Sequence, residues 1–219
     1  MATLGPQIHD FTEAFVAEDH VLVAARARSV EVGIAPIGAA AGATLRLLAA
    51  AAGARSVVEV GTGTGVSSVW LLRGMRPEGV LTTIDLEPEH QRQARQAFRD
   101  AGFSPSKTRL IAGRALEVLP RLADAAYDLV FIDGDRSDYP QYVAEAYRLL
   151  RPGGVLVAAG ALADGRVSDP AARDPQTVTL REVVKSIRDD DEWLPALLSG
   201  ADGLLAAVKY DGQQPAARR

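Results

Sequence analysis

Residues 57–68 read VVEVGTGTGVSS. An apolar run, Val57 to Val60 with Glu59 inside it, leads into glycines at 61, 63 and 65. Val66, Ser67 and Ser68 then open a stretch with helical spacing. A strand that passes through a glycine turn into a helix is the building unit of a parallel α/β sheet. Glycine lets the backbone turn tightly and come close to a ligand. The helix that follows points its free N–H groups and its positive dipole end at that same place.

Outward from this loop, short β-rich runs alternate with helix-period stretches. The expected strands are Ser56–Val60, Val80–Asp85, Thr108–Ala112, Tyr127–Asp133 and Val155–Ala158. They are nearly continuous apolar runs, as strands covered on both faces should be. Pro88 fits the first turn of one helix, with Gly102 just past its end. Pro140 starts another, which carries Val143, Ala146, Tyr147 and Leu150 on one face and is stopped by Pro152-Gly153-Gly154. Asp174-Pro175 opens a further helix that buries Leu180, Val183, Val184 and Ile187. Trp193–Leu198 and Leu204–Tyr210, on either side of Ser199-Gly200-Ala201-Asp202-Gly203, read as a hairpin. Two helices, about residues 10–31 and 39–52, precede the sheet. The first would pack Phe15, Val21, Leu22 and Ala25.

The fold class that follows is α/β, with a Rossmann-like, seven-stranded, mostly parallel sheet ending in an antiparallel hairpin. Residues 1–219 read as one domain: N-terminal helices over about 10–52, a core over about 55–210 and a frayed tail over 211–219. Net charge is −4, which gives no case for a nucleic-acid or acidic-membrane partner. The N-terminal residues lack the pattern of a secretory signal. The most apolar window, Ile34 to Ala54, is broken by Pro36, glycines and Arg46 and reads as a packed helix rather than a membrane span. The chain has no cysteine, which excludes disulfides, thiolate metal sites and cysteine nucleophiles, and fits a reducing cytoplasm.

Three features sharpen the glycine loop. Its spacing is G-x-G-x-G, whereas the dinucleotide fingerprint is G-x-G-x-x-G, so Val66 stands where the third glycine belongs. Glu59 lies two residues before Gly61, where a carboxylate repels a pyrophosphate and suits a cation. Asp85 ends the next strand, in the place from which a carboxylate takes ribose hydroxyls. A cationic nucleoside with a ribose points to S-adenosylmethionine, not to a nicotinamide cofactor.

With VEVGTGTGVSS, LTTIDLEPEH, RLIAGRALEVLPRL, YDLVFIDGD and LLRPGGVLVA in this order, the chain from about residue 12 to 210 resembles the class I S-adenosylmethionine-dependent methyltransferases. More narrowly, it resembles the bacterial O-methyltransferases related to catechol and caffeoyl-CoA O-methyltransferases, the mycobacterial type above all. The resemblance implies that Glu59 serves the methionine end through the loop. Gly61, Thr62, Gly63 and Gly65 would line the ligand, and Ser67 would bind its carboxylate. Asp85 would take the ribose, Arg114 and Ala115 would hold the adenine, and Ile37 with Gly38 would meet the methionine moiety.

The same resemblance implies a magnesium cage made of an Asp after the fourth strand and an Asp-Asn pair after the fifth. A lysine three residues after the first Asp would deprotonate the acceptor. Asp133 matches the first ligand. The pair falls on Ala159-Gly160, neither of which can ligate a cation, and the lysine position is Arg136, which cannot act as a base. Asp133 and Arg136 are therefore the candidate catalytic residues, Asp133 also counting among the cofactor-binding ones, with no metal expected. Asp135 and Asp138 read first as turn residues, the alternative being a rebuilt cation site near Asp133 that Asp164 reaches into. Arg136 and Arg166 read either as surface arginines or as anchors for an anionic substrate group. His20 is an alternative base.

The implied activity is methyl transfer to a hydroxyl of a small-molecule acceptor by a homodimer. The alternative is a cofactor-binding protein that has lost catalysis.

Overall fold

The computed structural model describes residues 6–199, 202–210 and 212. The expected tail lies outside them apart from Gly212, as do Gly200 and Ala201 of the hairpin turn. Seven strands form one sheet: β1 (Ser56–Val60), β2 (Val80–Asp85), β3 (Thr108–Ala112), β4 (Tyr127–Ile132), β5 (Leu150–Ala158), β6 (Trp193–Leu198) and β7 (Leu204–Lys209). Their order is β3-β2-β1-β4-β5-β7-β6. Neighbours among β1 to β5 pair in parallel. Strand β7 runs antiparallel to both β5 and β6. The order reverses between β1 and β4, and in such sheets ligands bind at that switch point, beyond the carboxyl ends of the strands.

Helices cover both faces. They are α1 (Pro6–Ala14), α2 (His20–Glu31), α3 (Ala39–Ala51), α4 (Val66–Gly74), α5 (Pro88–Asp100), α6 (Ala115–Val118), α7 (Tyr139–Leu149) and α8 (Pro175–Asp189). Successive strand residues point to opposite faces. Val57, Leu81, Leu129, Phe131 and Val157 thus join a core with α2 to α5, while Val58, Ile84, Val130, Ile132 and Leu156 join a second core with α7 and α8. Trp70 of α4 is buried in the first core. It fits there because α3 carries Gly42 opposite it: a Cβ on Gly42 would stand 2.2 Å from the indole Nε1.

The sequence expectation is corrected in two places. The first expected helix, 10–31, is two helices. Asp19 accepts a hydrogen bond from the Leu22 N–H and starts α2 afresh. Val21, Leu22 and Ala25 are buried as expected, but Phe15 lies in the break and is exposed. The other correction is β5, which begins at Leu150 directly after α7, so Pro152-Gly153-Gly154 lies inside the strand. The register against β4 shifts there, and Gly153 has φ +74°. The breaker residues build a bulge rather than a loop.

Candidate active site

Glu59, on β1, is the anchor of the glycine loop. It is fully buried, and its carboxylate accepts from the hydroxyls of Ser67 (2.6 Å), Ser68 and Thr83 (2.6 Å). Thr83 in turn lies 2.7 Å from the Thr62 hydroxyl. Burial pushes the Glu59 carboxyl up to about 7, against the three hydroxyls, which favour its charged form. Thr64 donates to the carbonyl of Ala25 on α2, which ties the outer part of the loop down. Gly61 (φ +94°), Gly63 (φ +49°) and Gly65 (φ +90°) all take left-handed conformations open to glycine.

Beside the loop, at the carboxyl ends of β1, β2 and β4, lies a cavity of about 440 Å³, in the size range of small-molecule sites. Of the residues singled out in the sequence, Ile37, Gly61, Thr62, Gly63, Ser67, Asp85, Arg114, Ala115 and Asp133 line it. Four others do not. Glu59 lies behind the loop. Gly65 faces α5, where a Cβ would stand 3.1 Å from Ala94 Cα. Gly38 caps α3 and is backed by the carboxylate of Glu13, which accepts from the Ala40 N–H at 3.2 Å. Arg136 is not part of the wall. His20 is exposed at the start of α2 and is also not part of the wall.

The carboxylate of Asp85 is already organised. It accepts from the N–H groups of Gly63 (2.8 Å) and Glu87 (2.9 Å) and faces His90 Nδ1 at 3.1 Å. His90 lines the cavity, as does Tyr142 on the opposite side. The sequence reading found neither. His90 comes into play because the turn after β2 folds α5 back on Asp85, and a Pro-x-His just past a strand-end Asp is the only hint of this. Tyr142 is one turn along α7 from Asp138, to which its hydroxyl donates at 3.3 Å.

At the other end, Asp133 opens onto the cavity, and its carboxylate takes no hydrogen bond among the described residues. Burial raises its pKa to about 6, with the charge of Arg136 working against the rise. Asp135 accepts from the Ser137 N–H (2.8 Å) as a turn residue. Asp164 is exposed, and Arg166 is paired with Asp174 at the start of α8. Carboxylates of Asp85, Glu87, Asp133, Asp135 and Asp138 outnumber the guanidinium of Arg114 around the cavity, a field that favours a cationic ligand.

The cation cage implied by the resemblance does not fit these residues. Ala159 and Gly160 offer no side-chain oxygen, and the guanidinium of Arg136 occupies the space over Gly160. A Cβ there would stand 2.7 Å from Nη2 and 3.3 Å from Cζ. A fixed cation in that space repels a second one.

Comparison with known proteins agrees with the fold and the loop. A family model described as O-methyltransferase matches residues 13–210. The chain belongs to the O-methyltransferase family. The "Probable O-methyltransferase" of Mycobacterium tuberculosis is 54% identical over 205 residues, 94% of this chain and 92% of that protein. Among solved structures, a Corynebacterium glutamicum protein superposes with a TM-score of 0.90 at 32% identity, covering 97% of this chain and 100% of its own. The O-methyltransferase TomG of Streptomyces achromogenes, involved in tomaymycin synthesis and crystallised with S-adenosylmethionine, superposes with a TM-score of 0.82. It is 31% identical over 92% of this chain and 94% of its own. The enzyme is an S-adenosylmethionine-dependent O-methyltransferase.

Proposed function

We propose that this enzyme methylates an ionisable hydroxyl of a small-molecule acceptor, and that it does so without a divalent cation. The observation that carries the reading is the seat of Arg136 over Gly160, in the space where the implied cage would need ligands. Asp85 holds the ribose with a carboxylate already oriented by two backbone N–H groups. Arg114 and Ala115 flank the adenine. Ile37, the loop residues Gly61 to Gly63 and the start of α4 at Ser67 receive the methionine end. Glu59 acts through the loop, by tying Ser67, Ser68 and Thr83 together. Gly38 and Gly65 contribute shape, by admitting Glu13 and α5.

Methyl transfer forms a C–O bond as the C–S bond breaks, and the sulfonium becomes a neutral thioether. The nucleophile, methyl carbon and sulfur must be collinear, so positioning supplies much of the rate. The acceptor must also shed its proton. With no cation to lower its pKa, the suitable acceptors are those already acidic, such as phenols and enols. Asp133 and Arg136 stand at the transfer end.

The whole chain is read as one methyltransferase unit working in the cytoplasm, in keeping with its lack of cysteine. Among the described residues no helix is long and apolar enough to cross a membrane. A homodimer is inferred from α1 and its flank, where Ile8, Phe11 and Phe15 are exposed. Sedimentation at micromolar concentration tests it, a dimer being expected and a monomer contradicting it.

The activity is tested by following methyl transfer from labelled S-adenosylmethionine to a panel of acidic phenols and enols, in EDTA and in excess magnesium. Turnover indifferent to EDTA is expected. Turnover only with magnesium overturns the metal-independent reading. Cofactor binding with no turnover of any acceptor turns the protein into a binding module.

A further inference from the structure

Arg136 follows β4 in a single 3-10 turn, and its Nη2 donates to Asp202 Oδ2 at 2.9 Å. Asp202 precedes β7 and also accepts from the Asp164 N–H, while its carbonyl accepts from the Leu162 N–H at 2.9 Å. The next carbonyl, Gly203, accepts from the Ala161 N–H at 3.0 Å. Asp202 is held at φ +60°, a conformation that costs an L residue free energy and persists where its surroundings enforce it. The turn before β7 is thus stitched to the loop after β5, and Arg136 is clamped between them, over the bare Cα of Gly160.

Of the five N–H donors of the guanidinium, the one bond to Asp202 is its only hydrogen bond to the described residues, and the side chain is 33% exposed. A guanidinium fixed along one edge and open along another matches a second planar anion through two parallel hydrogen bonds. Lysine in this place would offer a mobile point charge. Asp133 lines the cavity and feels the charge of Arg136, so the guanidinium lies close beside the part of the wall that Asp133 forms.

Resting on the methyltransferase reading above, we propose that Arg136, held by Asp202 over Gly160, binds a carboxylate of the methyl acceptor. The acceptor class is then a phenol or enol with a carboxylate beside the reacting hydroxyl. Asp133, Asp135 and Asp138 oppose an anion at long range. Asp135 is engaged with its own turn and Asp138 with Tyr142. Binding therefore depends on direct seating against the guanidinium, which makes Arg136 a specificity residue rather than a general attractor.

The test is calorimetric. Protein saturated with S-adenosylhomocysteine is titrated in EDTA with 2,3-dihydroxybenzoate and with catechol, which differ by the carboxylate alone. The carboxylate compound is expected to bind about tenfold or more tighter. That margin is expected to vanish in Arg136→Gln and to shrink in Asp202→Asn, where the clamp is loosened. Should Arg136→Gln not fold, Arg136→Lys carries the test, with a margin reduced but present. Equal affinities in the wild type overturn the proposal, as does a margin that survives Arg136→Gln. So does failure of the carboxylate compound to bind at millimolar concentration. If S-adenosylhomocysteine itself does not bind, the underlying cofactor reading has failed; if it binds and the margin is absent, this inference alone has failed.

Discussion

Gly61 of the glycine loop lies against the backbone of Asp133: a Cβ on Gly61 would stand 2.2 Å from the Asp133 carbonyl oxygen. The loop proposed to receive the cofactor and the strand end that carries Asp133 are thus in van der Waals contact through bare backbone. The Asp133 N–H completes the seam by donating to the Val60 carbonyl at 2.8 Å.

Gly61→Ala is expected to break this seam. The substitution meets backbone, which cannot swing away, and a φ of +94° that alanine resists. A stability loss of about 1–3 kcal/mol is expected in chemical denaturation, with weakened S-adenosylhomocysteine binding. Wild-type stability and affinity in this variant would contradict the close approach.

Glu59 sets a pH dependence of stability. Its carboxyl titrates near 4.5 in the unfolded chain and at about 7 in the fold. Between these values the folded state holds the extra proton, so its contribution is fully present below about pH 4.5 and is lost as pH rises through about 7. The loss is on the order of 3 kcal/mol. Denaturation midpoints at pH 5 and pH 8 in the wild type and in Glu59→Gln would show it. The slope attributable to Glu59 is expected to be missing in the variant; identical slopes would contradict its burial as a carboxyl.

Asp85→Ala removes the acceptor of the Gly63 and Glu87 N–H groups along with the proposed ribose contact. A hydrogen bond to a charged group contributes about 1.5–3 kcal/mol, so S-adenosylhomocysteine affinity is expected to fall about ten- to hundredfold. Titration of the variant measures this, and an unchanged affinity would remove Asp85 from the cofactor site.

Gly42→Ala forces a methyl into the Trp70 indole. A destabilisation of about 1–3 kcal/mol is expected, read from thermal melting together with a change in tryptophan fluorescence. A neutral effect would mean that α3 and α4 are packed less closely than described.

Much of the fold was readable because its strands are apolar runs bounded by glycine and aspartate. Ser56–Val60, Val80–Asp85 and Thr108–Ala112 stand where their residues place them. The break before α2 was hidden because helical spacing continues across it, and only the capping bond of Asp19 reveals it. The start of β5 was hidden because Pro152-Gly153 signals a turn and a bulge alike.

In the site, the glycine loop, Asp85 and the loss of side-chain oxygens at Ala159-Gly160 are properties of the sequence itself. The roles of His90 and Tyr142 depend on how α5 and α7 return to the cavity. The direction of Gly65 depends on the packing of α5. The seat of Arg136 depends on Asp202, 66 residues further along the chain.

The central claim is a cofactor site that works without a divalent cation, and a titration of S-adenosylhomocysteine in EDTA, repeated in excess magnesium, tests it most directly. Micromolar binding that is the same in both is the expected result. Binding that requires or is strengthened by magnesium would contradict it and would mean that Asp133 and its neighbours build a cation site despite Ala159, Gly160 and Arg136; no binding in either condition would overturn the cofactor site itself.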